Sequence, residues 1–478
     1  MSRIIKNYIY NLSYQILVMV LPIVTTPYIS RVLKPEGIGA YNYTFSIVSF
    51  IVMIAQLGTS LYGQREIAYV QNNPQKRSVV FGEIFIIRLI ATVVIVPIYG
   101  IIIIVSKEYR NLLLCMSIYI LVNAFDISWF YQGLEDFKRT ATRNIGIKLI
   151  GILLIFVFVH HEQDLIKYTL ILALAQFFGN LSLWVGLRKK VLLDFSMKLH
   201  LKARIKPIMT LFLPTIAMYV YVYVDKIILG LISDNKQVGY YSQAEKIVKL
   251  LLTVITSLGA VLLPHISNSV YKGYIDKVND EVKKAISYVM HIGLPMTIGA
   301  IIISPRFIPI FLGNDYIECI NLFSLLSVLI IIIGLASVVG QAVLIPMKKQ
   351  KIYSISVLSG ACCNLILDLV LIPFWGAWGA SVGTIAAETT VTAIQLYFVN
   401  KILDIHILKV FFKSWKCFVS AILMAMFGLF LNMVLPQSVL CLAVLVVLSA
   451  VFYFIMLLLM KDRELYPFID ALKGRKKR

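Results

Sequence analysis

Residues 81–105 read FGEIFIIRLIATVVIVPIYGIIIIV, twenty-five positions of almost unbroken apolar character. A helix needs about 20 such residues to cross the roughly 30 Å hydrocarbon core of a bilayer. Blocks of the same kind recur from one end of the 478-residue chain to the other. Length alone would allow roughly two or three soluble domains. Composition removes that option, because 59% of residues are hydrophobic and only 14% are charged, and a soluble surface of this size needs far more charge. The chain reads as an all-α polytopic membrane protein.

Fourteen candidate spans follow from the apolar periodicity, at 8–29, 38–62, 81–105, 112–130, 145–159, 168–187, 208–232, 239–263, 286–311, 320–345, 352–372, 378–399, 415–434 and 439–460. Arg3 and Lys6 precede the first, and no small-residue cleavage site follows it, so it reads as a retained span rather than a signal peptide. Orientation tests the count. With both termini cytoplasmic, 32 of the 45 Lys and Arg fall on the cytoplasmic side, 6 on the other side and 7 within spans. A missed span would swap the sides downstream and blur that contrast. The net charge of +21 is then a positive-inside bias, and nucleic acid is not an expected partner, since no basic stripe lies on a separate domain.

The densest basic stretch runs from Arg188 to Lys206, between the sixth and seventh spans. The expected organisation is therefore an N-lobe over 1–187, a basic cytoplasmic linker over 188–207, a C-lobe over 208–400, two further spans over 401–460 and a basic cytoplasmic tail over 461–478. The halves echo each other. Leu21-Pro22 in span one is followed by Glu36-Gly37-Ile38-Gly39-Ala40-Tyr41, and Leu213-Pro214 in span seven by Gln237-Val238-Gly239-Tyr240-Tyr241. Helices at matching positions run the same way through the membrane, which fits a parallel repeat about an axis along the membrane normal.

Several segments carry a family resemblance. They are Tyr28 to Tyr41 (YISRVLKPEGIGAY), Gly63-Gln64-Arg65-Glu66, Trp129 to Lys138 (WFYQGLEDFK), Val224 to Gly230 (VDKIILG), Gly239 to Lys246 (GYYSQAEK) and Gly376-Ala377-Trp378-Gly379-Ala380. In this order the set resembles the polysaccharide-biosynthesis flippases, of O-antigen or capsule type, within the multidrug/oligosaccharidyl-lipid/polysaccharide exporter superfamily. Lys34 stands where the family's first motif usually has glycine. The resemblance implies two six-helix lobes around a central cavity, with two extra C-terminal helices. It also implies a bacterial cell membrane and an undecaprenyl-pyrophosphate-linked oligosaccharide as cargo, carried from the cytoplasmic to the outer leaflet by alternating access. Membrane lipids are expected partners, as are the polymerase and glycosyltransferases of surface-polysaccharide assembly.

Moving a pyrophosphate and hydroxyl-rich sugars through hydrocarbon is costly unless a hydrated, cationic cavity receives them. Charges inside spans are the candidates. Arg88, Lys226, Lys246 and Arg306, together with Arg31 just beyond the first span, are candidate substrate-binding cations. Asp225 and Lys226 sit side by side, about 100° apart on a helix, and so each needs another partner. Glu245 and Lys249 have the i, i+4 spacing of an intrahelical pair. Glu388 falls near the bilayer midplane, where a carboxylate reads as functional. With Asp225, Asp368 and Asp126 it forms the candidate set for ion coupling or gating, the ion being H+ or Na+. Pro22 and Pro214 are candidate hinges.

Nothing suggests another cofactor. The six cysteines show neither CxxC nor Cys/His spacing, so no disulfide or metal site is expected. The six histidines are scattered, without HExxH or DxD patterns, and the loops are too short for a catalytic domain. A membrane glycosyltransferase or polymerase is therefore disfavoured, and the chain reads as no enzyme. A peptidoglycan-precursor flippase and a cation-coupled drug or metabolite exporter of the same superfamily are the alternatives. A channel would not be expected to repeat hinged helices in two lobes.

Overall fold

The structure is a computed structural model that describes residues 3–192, 199–403 and 405–462. Part of the expected linker (193–198) and most of the expected tail (463–478) lie outside those residues. The chain is all-helical, with no strand among the described residues. It divides into two compact units, Met1–Gly239 and Tyr240–Arg478.

The first unit holds α1 (Arg3–Gln56), α2 (Thr59–Tyr69), α3 (Pro74–Val105), α4 (Arg110–Met116), α5 (Ile118–Phe125), α6 (Ser128–Gly133), α7 (Phe137–Phe158), α8 (Leu165–Ser182) and α9 (Leu201–Ile232). Helix α10 (Asn235–Tyr271) begins in it and continues into the second. The second unit adds α11 (Ile275–Phe311), α12 (Cys319–Leu326), α13 (Leu329–Ala336), α14 (Gln350–Trp375), α15 (Ala377–Leu403), α16 (Ile407–Lys413), α17 (Trp415–Val434) and α18 (Val439–Leu459). A π-helical stretch, Ser337–Leu344, extends α13.

Twelve helical stretches among the described residues are long and apolar enough to cross a membrane. The first of them, Met19–Gln56, contains one residue with non-helical dihedrals, Lys34, at φ 55° and ψ 176°. Pro35 explains the place: its ring crowds the residue before it out of the α region. The break separates the expected spans one and two. The helix runs through Pro22 without leaving helical dihedrals, and Pro214 lies within α9.

From Leu89 onward the exposed side chains of α3 are apolar, among them Ile90, Val93, Val94, Ile101 and Ile104. That inverts the pattern of a soluble surface and suits hydrocarbon. Inside the first unit, Trp129, Phe130 and Tyr131 are fully buried and pack with Phe81, Ile84 and Ile67. Two of the sequence motifs meet there, because α2 packs on α6 with Gly63 directly against the Trp129 ring.

The compact division falls at Gly239, later in the chain than the linker where the sequence suggests a lobe boundary. Helix α9 packs along α1, and the start of α10 closes onto the Lys34 break. A Cβ on Gly39 would overlap the Asn235 carbonyl oxygen, and one on Gly239 would overlap that of Pro35. The two glycines of the internal echo are thus both sites where backbone meets backbone.

Candidate functional site

In the first unit the expected cation Arg88 is wholly buried. Its guanidinium donates to the Asp126 carbonyl oxygen (2.9 Å) and to Asn123 Oδ1 (2.9 Å), and Asp126 Oδ2 lies 3.7 Å away. Asn123 Nδ2 donates in turn to Thr92 Oγ1, which donates to the Arg88 carbonyl oxygen. Asp126 Oδ1 accepts the Ser128 N–H at the start of α6. Two residues singled out separately in the sequence, Arg88 and Asp126, are therefore neighbours, and they tie α3 to the α5–α6 turn. A charge at this depth is tolerated because it is paired and hydrogen-bonded.

Asp225 and Lys226 are both buried on α9. Lys226 Nζ reaches back to the Val222 carbonyl oxygen at 3.4 Å. Arg31 is exposed and donates to the Pro27 carbonyl oxygen at 3.3 Å.

At the base of this unit lies a network that the sequence reading did not single out. Glu83, 1% exposed on α3, accepts the His200 N–H (2.7 Å) and Arg204 Nε (2.8 Å) with its two oxygens. Arg204 Nη1 also donates to Glu66 Oε2 (2.8 Å) and Tyr62 OH (3.0 Å). Burial alone would lower the pKa of the Arg204 guanidinium; its hydrogen bonds to Tyr62 and Glu83, with the Glu83 charge, carry it above its usual value. Glu83 also caps α9 from outside, since His200 is the N-cap and its own side chain makes no capping bond. A carboxylate in an otherwise apolar run was the available signal.

A cleft of about 680 Å³ opens where the Lys34 break, the turn before α4 and the α9–α10 turn come together, lined by Glu36, Tyr43, Tyr109, Asp234 and Asn235 among others. Tyr109 OH donates to Asn235 Oδ1 (3.1 Å), and burial pushes its phenol up to about 12.

In the second unit, Glu245 and Lys249 form the pair that their spacing suggests, at 2.5 Å, and Lys246 is exposed. Arg306, another expected substrate-binding cation, is buried on α11. It donates to the carbonyl oxygens of Asn432, Leu435 (2.6 Å) and Pro436 (3.2 Å), closing the C-terminal end of α17. Asp368 is fully buried on α14 and accepts from Asn364 Nδ2 at 3.1 Å. Its other oxygen lies against Gly383 of α15, where any Cβ would overlap it. Glu388 is half-buried on α15. No group of three or more His, Cys, Asp or Glu able to hold a metal occurs among the described residues.

Residues 4–270 match the family described as polysaccharide biosynthesis protein. The chain belongs to the polysaccharide biosynthesis proteins. A second family, lipid II flippase MurJ, matches residues 142–460. Among individual polysaccharide biosynthesis relatives, a Shigella dysenteriae protein that carries the name of an O-antigen transporter is 24% identical over 381 residues, covering 78% of this chain and 94% of its own. One of the same name from Escherichia coli K12 is 24% identical over 405 residues, covering 83% and 97%. Among solved structures, an inward closed conformation of lipid II flippase MurJ superposes with a TM-score of 0.70 at 16% identity, covering 96% of this chain and 99% of that one. An inward-facing multidrug resistance transporter of the MATE family gives 0.62 at 14% identity, covering 83% and 98%. The fold is that of the MOP superfamily, and the chain is a multi-pass cell-membrane protein of the lipid-linked polysaccharide flippase kind.

Proposed function

We propose that this chain moves an undecaprenyl-pyrophosphate-linked oligosaccharide from the cytoplasmic to the outer leaflet by alternating access, feeding surface-polysaccharide assembly. The observation that carries the reading is the match to polysaccharide biosynthesis proteins over 4–270, together with O-antigen transporter relatives aligned over nearly their whole length. Fourteen spans with both termini cytoplasmic belong to the same proposal.

The cation assignments narrow. Arg88 and Arg306 hold helices together, so Lys226 becomes the foremost partner for the pyrophosphate, with Arg31 and Lys246 the exposed cations along its path. Glu388 is the proposed coupling site for H+ or Na+, since it combines partial burial with a place well inside α15. Polymerase and glycosyltransferases are the proposed neighbours in the pathway.

Deleting the gene should make lipid-linked oligosaccharide accumulate on the cytoplasmic face and surface polysaccharide disappear. Lys226→Ala should cut transport about tenfold or more, the loss of one charge-assisted contact, while Lys226→Arg keeps most of it. Glu388→Gln should abolish ion-driven transport in protein that still inserts. Normal transport by Glu388→Gln under an imposed ion gradient would move the coupling site elsewhere, to Asp225 or Asp368. A second reading, a peptidoglycan-precursor flippase, is favoured by the match to the MurJ family over 142–460. It predicts accumulation of lipid II in the deletion strain instead.

A further inference from the structure

Six aromatic rings from four helices of the first unit form a continuous row. Tyr41 and Phe45 of α1 stack with centroids 5.6 Å apart. Tyr168, near the start of α8, lies 5.0 Å from Tyr41, and Tyr119 of α5 lies 5.3 Å from Phe45. Phe45 also meets Tyr223 of α9 at 6.5 Å, and Tyr223 meets Tyr219 at 5.4 Å. Tyr219 is within electrostatic reach of Arg88. The row thus leads from the neighbourhood of Arg88 to the first turns of α8 and the part of α1 just beyond the Lys34 break. By the charge bias, those are the outer ends of their helices.

Each of the six residues is half-buried rather than fully enclosed. Tyr41 and Tyr119 hydrogen-bond to each other, and a phenol that faces hydrocarbon without such a partner is costly, so this surface does not suit lipid. The large exposed apolar residues elsewhere on the same helices are mostly aliphatic, as at Leu121, Leu174 and Leu231. A packing cluster alone would need no hydroxyls, yet five of the six rings are tyrosines. The faces of sugar rings present C–H groups that complement the negative face of an aromatic ring. Phenols add donors and acceptors for sugar hydroxyls.

We infer that this row is a track on which the sugar rings of the cargo stack as they pass through the first unit. The inference rests on the flippase reading above, which concerns the pyrophosphate end of the same molecule, and the two are separable. The full chain in lipid nanodiscs is titrated with undecaprenyl pyrophosphate and with undecaprenyl-pyrophosphate N-acetylglucosamine. The parent is expected to bind both, the sugar-bearing lipid about tenfold more tightly. Phe45→Leu and Tyr223→Leu should bind both lipids alike, at the affinity for the sugar-free one. Phe45→Tyr and Tyr223→Phe, which keep a ring, should retain the preference. No preference in the parent, an undiminished preference in the leucine variants, or its loss in the ring-retaining variants overturns the track and leaves the flippase reading standing. Failure of the parent to bind either lipid overturns that reading and the track with it.

Discussion

Glu83→Ala is expected to be among the most destabilising single substitutions in the first unit. The carboxylate is almost inaccessible and both of its oxygens are engaged, by the His200 N–H and by Arg204 Nε. Removing one partner of a buried pair leaves the other charge desolvated without compensation, at a cost of about 3–5 kcal/mol. The lower end applies, because Arg204 keeps Glu66 and Tyr62 and its side chain is 23% exposed. The loss also uncaps α9, worth about 1 kcal/mol in comparable cases. The midpoint of heat-induced precipitation in detergent should fall markedly for Glu83→Ala and less for Glu83→Gln, whose amide oxygen still accepts one N–H. A double-mutant cycle with Arg204→Ala should return a coupling of about 1 kcal/mol or more. Additivity within about 0.5 kcal/mol would mean that the two residues stabilise the unit independently.

This network marks the limit of what the sequence displays. The apolar blocks and the lysine and arginine bias are local quantities, and they carry the all-helical membrane class and the run of long apolar helices. The motifs also read locally, which is why the family was legible. Partnerships between helices were not. Arg88 stood out as a cation in a span, but its bond to Asn123 depends on α3 and α5 lying side by side, which no spacing encodes. Arg306 stood out in the same way, and its partners are three carbonyl oxygens about 130 positions further along. Backbone acceptors leave no trace in a list of side chains. The tyrosine row was invisible for a similar reason, since its members come from four helices and none is unusual by itself. Glu83 differs, because a carboxylate near the start of the quoted span at 81–105 was in plain view and called for a partner.

Gly39→Ala should also destabilise the first unit, by a different route. An alanine ordinarily favours a helix over glycine by about 1 kcal/mol. At Gly39 the added methyl meets the Asn235 carbonyl oxygen, and at Gly239 it meets that of Pro35. Both obstacles are backbone, so no side chain can rotate away, and either α1 or the start of α10 must move. Overpacking of this kind costs about 1–3 kcal/mol and sometimes more, and here it outweighs the propensity gain. Gly100 supplies the control: it lies in α3 with nothing within 4 Å of a Cβ, so Gly100→Ala should raise stability by about 0.5–1 kcal/mol. The two alanine variants should therefore shift the precipitation midpoint in opposite directions, with Gly239→Ala following Gly39→Ala. Valine at position 39 should deepen the loss, since a branched Cβ cannot turn both methyls from the carbonyl. Equal midpoints for Gly39→Ala and Gly100→Ala would show that the α1 break and the α9–α10 turn do not close on each other as described.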